Sequence, residues 1–148
     1  MGRQLPRSVT RAVQTQAALV VVSGLITVLT AIQREELEAA FVARESPDID
    51  VPAFVPVAVV LWVTFALLAA VLVVFFRGGH PSARLSLTGL AAFFLFTMLV
   101  MYRQDPPGLF DVLAAVAAVL DVVLIYFLWH RETNEFMRGA QLADDLEP

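Results

Sequence analysis

The residue with the clearest chemical potential is Asp121, a carboxylic acid inside the apolar stretch "AAVLDVVLIYF". A carboxyl group in such a stretch either takes up and releases a proton or hydrogen-bonds to a neighbouring helix. At about 100° of helical rotation per residue, Ala114, Ala117 and Ala118 lie within about 60° of it, so the acid shares a helix face with small residues. An acid at the centre of a membrane helix costs about 2.5 to 3.5 kcal/mol on insertion scales, and we therefore expect Asp121 to face protein and not lipid.

The sequence offers Asp121 a hydroxyl partner but no basic one. No Arg or His lies within the four apolar stretches, the last of which ends at Trp129, and a carboxyl group without a basic partner in a low-dielectric surrounding favours its protonated form. Ser23 lies near the centre of the first apolar span and so at the depth of Asp121, whereas Thr27 lies about 6 Å nearer the outside. We predict a hydrogen bond between Asp121 and Ser23 if the first and fourth spans adjoin.

Two functions remain open for Asp121, Ser23 and Thr27. In the first, these residues hold helices together within one chain or between copies, and the protein is a non-enzymatic membrane subunit or a self-associating scaffold. In the second, Asp121 takes up and releases a proton and the two hydroxyls line a polar path, as in a small proton-coupled transporter or channel component. Because proton-coupled transport usually needs several polar groups in its path, the sequence favours the first function.

The composition places these residues in a membrane protein. Of the 148 residues, 59% are hydrophobic and only 16% are charged, and a soluble domain of this size cannot bury that much apolar surface. Four stretches approach the length of about 20 apolar residues that crosses a bilayer core. We predict an all-α polytopic membrane protein, an antiparallel bundle of four transmembrane helices that forms a single membrane domain over residues 1–148.

The predicted spans cover about residues 12–33, 55–76, 85–102 and 110–130. The first helix is predicted to continue as an amphipathic extension to about residue 45, where "SPDIDVP" breaks it. The fourth is predicted to continue through "WHRETNEFMR" and to stop near Gly139, where an acidic tail over residues 139–148 begins. Gln14 and Gln16 are expected near the lipid headgroups.

Arginine placement predicts the orientation in the membrane. Seven arginines lie at the two termini and in the second loop: Arg3, Arg7, Arg11, Arg77, Arg84, Arg131 and Arg138. Three lie in the first and third loops: Arg34, Arg44 and Arg103. Because cytoplasmic flanks retain positive charge during insertion, both termini are expected in the cytoplasm.

Small residues four positions apart predict where the helices pack, since such residues let helix backbones approach closely in lipid. The predicted packing residues are Ser23, Thr27 and Ala31 in the first span, Ala66 and Ala70 in the second, Thr88 and Ala92 in the third, and Ala114 and Ala118 in the fourth.

The remaining residue types argue against several kinds of chemistry. The chain has no Cys, which excludes disulfides, thiol catalysis and cysteine metal sites. Two His without Cys make a poor zinc site, and "ESPDIDVP" lacks the spacing of a calcium loop. The net charge of −4 argues against a nucleic-acid partner. We predict no catalytic residue, no metal and no cofactor, and the lipid bilayer as the surroundings, with a homo-oligomer or a larger membrane complex left open.

Three short motifs resemble a known group of proteins. They are "PRSVTRAV" near the N-terminus, "GGHPSAR" in the second loop and "RETNEF" after the fourth span. Together with the four-span layout, they resemble small four-helix integral membrane proteins of actinobacteria, which open with a Pro-Arg-Ser stretch and close with an Arg-x-x-Asn-x-aromatic stretch. The resemblance implies the cytoplasmic membrane of a bacterium and implies no particular activity.

Overall fold

The computed structural model describes residues 5–44, 53–103 and 108–144. Within these ranges the chain forms six helices: α1 (Arg7–Ile32), α2 (Arg34–Arg44), α3 (Phe54–Arg77), α4 (Pro81–Tyr102), α5 (Gly108–Leu128) and α6 (Arg131–Asp144). Helices α1, α3, α4 and α5 are each long and apolar enough to cross a membrane. The predicted all-α class with four membrane helices is confirmed, and the chain is a multi-pass membrane protein.

The four long helices follow one another around the bundle in the order α1, α3, α4, α5. Helix α1 packs against α3 and α5, and α4 packs against the same two helices. A tight turn reverses the chain between α3 and α4, and Gly79 in this turn has a φ of 86°, a conformation that side chains with a Cβ rarely adopt. A Cβ at position 79 would also come within 2.5 Å of the Cβ of Ala140, so glycine is required by the close approach of α6 as well.

The contact between α1 and α5 is the most extensive in the bundle. Buried residues of α5 recur at spacings of four and three: Phe110, Ala114, Ala117, Asp121, Leu124 and Leu128. On α1 the matching buried residues are Val9, Ala12, Gln16, Leu19, Ser23 and Thr30. Alternating spacings of three and four are the signature of helices that pack side by side as in a coiled coil. These two rows of residues are called the α1–α5 seam below.

The predicted extension of the first helix forms α2, separated from α1 by one residue. Gln33 departs from helical geometry, with φ −98° and ψ 25°, but its backbone N–H still donates to the carbonyl oxygen of Leu29 at 2.8 Å. The backbone N–H of Leu37 in turn donates to the carbonyl oxygen of Gln33 at 3.0 Å. The chain therefore passes from α1 into α2 with only a local distortion.

The fourth membrane helix does not continue to Gly139 as predicted. It ends at Leu128, and α6 begins after a short break and contains Gly139 within it. The side chains of Thr133 and Asn134 donate hydrogen bonds to the carbonyl oxygens of Phe127 (2.8 Å) and Trp129 (3.2 Å). Because side-chain donors replace the helical N–H partners of these carbonyls, the chain can turn there. Residues 145–148 of the predicted acidic tail lie outside the described residues.

Candidate functional site: a polar seam between two membrane helices

Asp121 lies in the middle of the α1–α5 seam and is completely buried, with 0% of its surface exposed. Neither of its carboxyl oxygens makes a hydrogen bond to any described residue. The large majority of buried side-chain polar atoms in proteins have a hydrogen-bond partner, so an acid without one needs a physical explanation.

The predicted hydrogen bond between Asp121 and Ser23 is not formed, although α1 and α5 do adjoin. The hydroxyl of Ser23 donates to the carbonyl oxygen of Val20 at 2.9 Å, and the hydroxyl of Thr27 donates to that of Ser23 at 3.0 Å. Both predicted partners are therefore satisfied by the backbone of their own helix, a common alternative for hydroxyls in helices.

The prediction of the Ser23 bond was wrong because matching depth does not fix the direction of a hydroxyl. Gln16 lines the same narrow gap as Leu124 and Leu128, so in this antiparallel pair Asp121 is level with the α1 turn between Leu19 and Ser23. Ser23 therefore lies near the predicted depth, but its hydroxyl is directed to the carbonyl oxygen of Val20 in its own helix.

Gln16 is a site residue that the sequence prediction missed. It was expected near the headgroups, but only 3% of it is exposed, and its amide nitrogen has no acceptor among the described residues. Its neighbours around the gap are apolar: Ala12, Val13, Val73, Phe76, Leu87, Leu124 and Leu128. The signal that could have found it is the alternating spacing on α1, in which Gln16 occupies a position between Ala12 and Leu19.

Buried polar chemistry in the described part of the chain is confined to α1 and the helices that follow the third loop. The buried polar side chains are Ser8, Gln16, Ser23, Thr30, Asp121 and Thr133. Buried polar atoms without a partner belong to four residues: Gln16, Gln33, Asp111 and Asp121. All four lie on α1, on the residue that ends it, or on α5. Most of the buried polar side chains among the described residues therefore lie along the α1–α5 seam.

One end of the seam, called the Ser8 end below, is closed by hydrogen bonds between α1 and α6. The hydroxyls of Ser8 and Thr133 are hydrogen-bonded at 2.9 Å, and both residues are buried. The backbone N–H of Ser8 also donates to a carboxylate oxygen of Glu132 at 3.3 Å. Close by, the guanidinium of Arg11 lies 5.8 Å from the ring centre of Phe127. The opposite end, where Gln33 follows α1 and Asp111 opens α5, is called the Gln33 end.

A second polar cluster at the Ser8 end joins α4 to α6. The guanidinium of Arg84 stacks on the ring of Trp129 at 4.1 Å and donates to the side-chain oxygen of Asn134. The indole N–H of Trp129 donates to the hydroxyl of Thr88 at 3.1 Å. With Ser8, these contacts bring together residues from all three of the motifs "PRSVTRAV", "GGHPSAR" and "RETNEF". The motifs therefore hold α6 against the starts of α1 and α4.

The predicted small packing residues divide into two groups. Ser23 and Ala114 are buried, and Thr27, Ala66, Thr88 and Ala118 are partly buried, whereas Ala31, Ala70 and Ala92 are exposed on the outside of the single chain. On α3 and α4 the buried alanines are instead Ala69, Ala83 and Ala91. A spacing of four identifies a row of small residues but not the direction in which it faces, and a shift of one residue turns it by about 100°.

The middle of α1 is tied to α3 by Trp62, whose indole N–H donates to the carbonyl oxygen of Val20 at 3.0 Å. The indole packs directly on Gly24, where an added Cβ would lie 3.1 Å from the indole nitrogen. The carbonyl oxygen of Val20 also accepts a hydrogen bond from the hydroxyl of Ser23. It therefore receives two side-chain hydrogen bonds close to the level of Asp121.

Within the described ranges, no group of three or more His, Asp and Glu side chains is arranged to hold a metal ion. Comparison of the chain with models of known protein families, with curated proteins and with solved structures gives no match. The function is therefore inferred from the chemistry of the seam.

Proposed function

We propose that this multi-pass membrane protein is a proton-coupled transporter or channel component in which Asp121 binds and releases the proton. The observation that carries the proposal is the complete burial of Asp121 with both carboxyl oxygens unpaired among the described residues. An ionised carboxylate without donors is strongly destabilised in a low-dielectric interior, so this packing accommodates the neutral, protonated acid. Release of the proton then requires the seam to admit water, which couples protonation to a change in helix packing.

The charged groups around Asp121 leave it electrostatically isolated. The titratable side chains of the described membrane helices lie towards helix ends or on the outer surface: Arg7 and Arg11 on α1, Arg77 on α3, Arg84 and Tyr102 on α4, and Asp111 and Tyr126 on α5. Asp111, the other acid of α5, is about 15 Å away along the helix. The affinity of Asp121 for its proton is therefore governed by the access of water to the seam.

A role for Asp121 in packing alone, as in a non-enzymatic subunit or a self-associating scaffold, is supported less well. A packing role within the chain needs a hydrogen bond from Asp121 to another helix, and the described residues supply none. A role between copies needs the side chain to be accessible, but a single chain already buries it completely. The same geometry suits a group that exchanges a proton when the seam opens.

We place this protein in the cytoplasmic membrane of a bacterium, with the Ser8 end of the bundle in the cytoplasm. The support is the set of arginines at that end: Arg7, Arg11, Arg77, Arg84, Arg131 and Arg138. Positive charge of this kind is retained on the cytoplasmic side during insertion.

The proposal is tested by infrared spectroscopy of the full chain in lipid bilayers during a pH titration. We expect a carbonyl band of a protonated carboxylic acid that disappears reversibly as the pH rises and is missing in Asp121→Asn. Asp111→Asn is the matched control, because it removes the other acid of α5 and should leave that band in place. The proposal is overturned if the carboxyl group of Asp121 stays protonated, or stays ionised, at every pH at which the helices remain folded.

A further inference from the structure

We propose that water reaches Asp121 from the Gln33 end of the bundle and not from the Ser8 end. The route is the half of the α1–α5 seam between Asp121 and the Gln33 end, which is lined mainly by alanine and hydroxyl side chains. This inference deepens the proposed function. It rests on that function for one consequence, which is that the proton of Asp121 enters and leaves on that side. The route itself is a property of the packing.

The half of the seam towards the Ser8 end is sealed by bulky apolar side chains. Seven large apolar side chains are less than 2% exposed: Val9, Leu19, Phe76, Leu87, Phe110, Leu124 and Leu128. All of these except Phe110 lie level with Asp121 or between it and the Ser8 end. Gln16 is the only polar side chain that lines the gap there. Apolar constrictions of this kind exclude water and act as barriers in membrane pores.

The half towards the Gln33 end has a smaller and more polar lining. Helix α5 contributes Ala114 and Ala117, which are 3% and 0% exposed, and α1 contributes the hydroxyls of Ser23, Thr27 and Thr30 together with the partly buried Ile26. A small separation of the helices opens more space between alanines than between interlocked leucines. The hydroxyls then offer hydrogen bonds to water molecules that enter.

Two unpaired oxygens at the mouth of this half point independently to water. Oε1 of Gln33 and Oδ1 of Asp111 are buried acceptors that receive no hydrogen bond from the described residues. Both lie at the Gln33 end, one directly after α1 and one in the first turn of α5. Water molecules that supply the missing donors would stand at the entrance of the route.

Phe110 is the most deeply buried large side chain on this side, where Leu29 and Met98 are also buried. Its side chain is 1% exposed and lies on the α5 row of the seam, one step beyond Ala114. In the described conformation, Phe110 therefore closes the route between the entrance and the alanines. Reducing this side chain should increase the access of water without changing the seal at the Ser8 end.

The absence of Cys from the chain allows the route to be mapped with single cysteines. Ala114→Cys and Ala12→Cys form a matched pair, because both alanines are buried, at 3% and 1% exposure, on opposite sides of Asp121. Ala114 precedes Asp121 by seven residues on α5, and Ala12 precedes Leu19, the near edge of the α1 turn level with Asp121, by seven on α1. Each position is thus at least about 10 Å from the level of the acid.

The experiment measures the rate at which a charged methanethiosulfonate reagent modifies each cysteine in lipid nanodiscs, where both faces of the bilayer meet the reagent. Because the thiolate reacts and forms only in contact with water, we expect Ala114→Cys to react about tenfold or more faster than Ala12→Cys. Adding Phe110→Ala should accelerate Ala114→Cys and leave Ala12→Cys unchanged. The lipid-facing Val122→Cys, at a position that is 58% exposed, gives the background rate.

Equal rates at the two positions, or a faster reaction at Ala12→Cys, would overturn the proposed route. Circular dichroism of each variant, with only folded variants compared, separates a change of route from a loss of structure. The labelling and the infrared titration fail independently. If Ala114→Cys reacts faster but Asp121 never titrates, the proposed function is refuted and the route is kept. If Asp121 titrates but Ala114→Cys does not react faster, the route alone is refuted.

Discussion

Replacement of Asp121 by valine should stabilise the bundle, although it removes the residue on which the proposed function depends. In the folded chain the carboxyl group has no partner among the described residues, whereas in the unfolded chain it can reach water or headgroups. Folding therefore costs the desolvation of an unpaired polar group, about 1 to 3 kcal/mol. Valine avoids that cost but is slightly larger than Asp, and some overpacking offsets part of the gain.

The net expectation for Asp121→Val is an increase of about 1 to 2 kcal/mol in the free energy of unfolding. It is measured by unfolding the protein with sodium dodecyl sulfate in mixed micelles and following tryptophan fluorescence. Ser23→Val is the matched control, since the Ser23 hydroxyl already donates to its own helix at 2.9 Å and its loss should change stability by less than about 1 kcal/mol. A decrease in stability for Asp121→Val, with Ser23→Val unchanged, would mean that Asp121 has a stabilising partner and would refute the reasoning.

Two glycine substitutions test the contacts that surround the seam. Gly24→Ala places a Cβ 3.1 Å from the indole nitrogen of Trp62 and should weaken its hydrogen bond to α1, which costs about 1 kcal/mol and shifts the tryptophan emission. Gly89→Ala is the control, because nothing lies within 4 Å of its Cβ, and it should be neutral or stabilising. Gly79→Ala combines a φ of 86° with a Cβ 2.5 Å from Ala140, and should displace α6. Limited proteolysis should then cut α6 faster than in the parent protein, and an unchanged digestion pattern would contradict this account of the turn.

The membrane helices could be predicted from the sequence because the bilayer imposes one simple requirement. A span needs about 20 apolar residues, and the chain contains four such stretches with little between them. The burial of Asp121 follows from the same physics, since a central acid avoids lipid. Properties that depend on the composition of a single segment were therefore accessible without a structure.

Properties that depend on the relation between two helices were not accessible. The expected bond from Ser23 to Asp121 required the Ser23 hydroxyl to point towards α5, whereas it donates to the carbonyl oxygen of Val20 in its own helix. Gln16 was placed near the headgroups because the first span was taken to begin at about residue 12, whereas α1 begins at Arg7. The packing roles of Ala70 and Ala92 depended on the rotation of α3 and α4, which in an apolar helix has no polar face to define it.

The hydrogen bonds of α1 provide a mechanical reason why the seam would open towards the Gln33 end. Among the described residues, side-chain hydrogen bonds from α1 to other long helices and to α6 involve Ser8 near its start and Val20 near its middle. Beyond Val20, the hydroxyls of Ser23, Thr27 and Thr30 bond only within α1. Hydrogen bonds thus fix α1 between the Ser8 end and the level of Asp121, while the part of α1 towards the Gln33 end is held by packing alone. Packing against alanines is the weaker restraint. We therefore expect a rotation of α1 about its contact with Trp62 to separate α1 from α5 at the Gln33 end, where the lining is small and hydroxylated. The same rotation keeps the leucines at the Ser8 end in place.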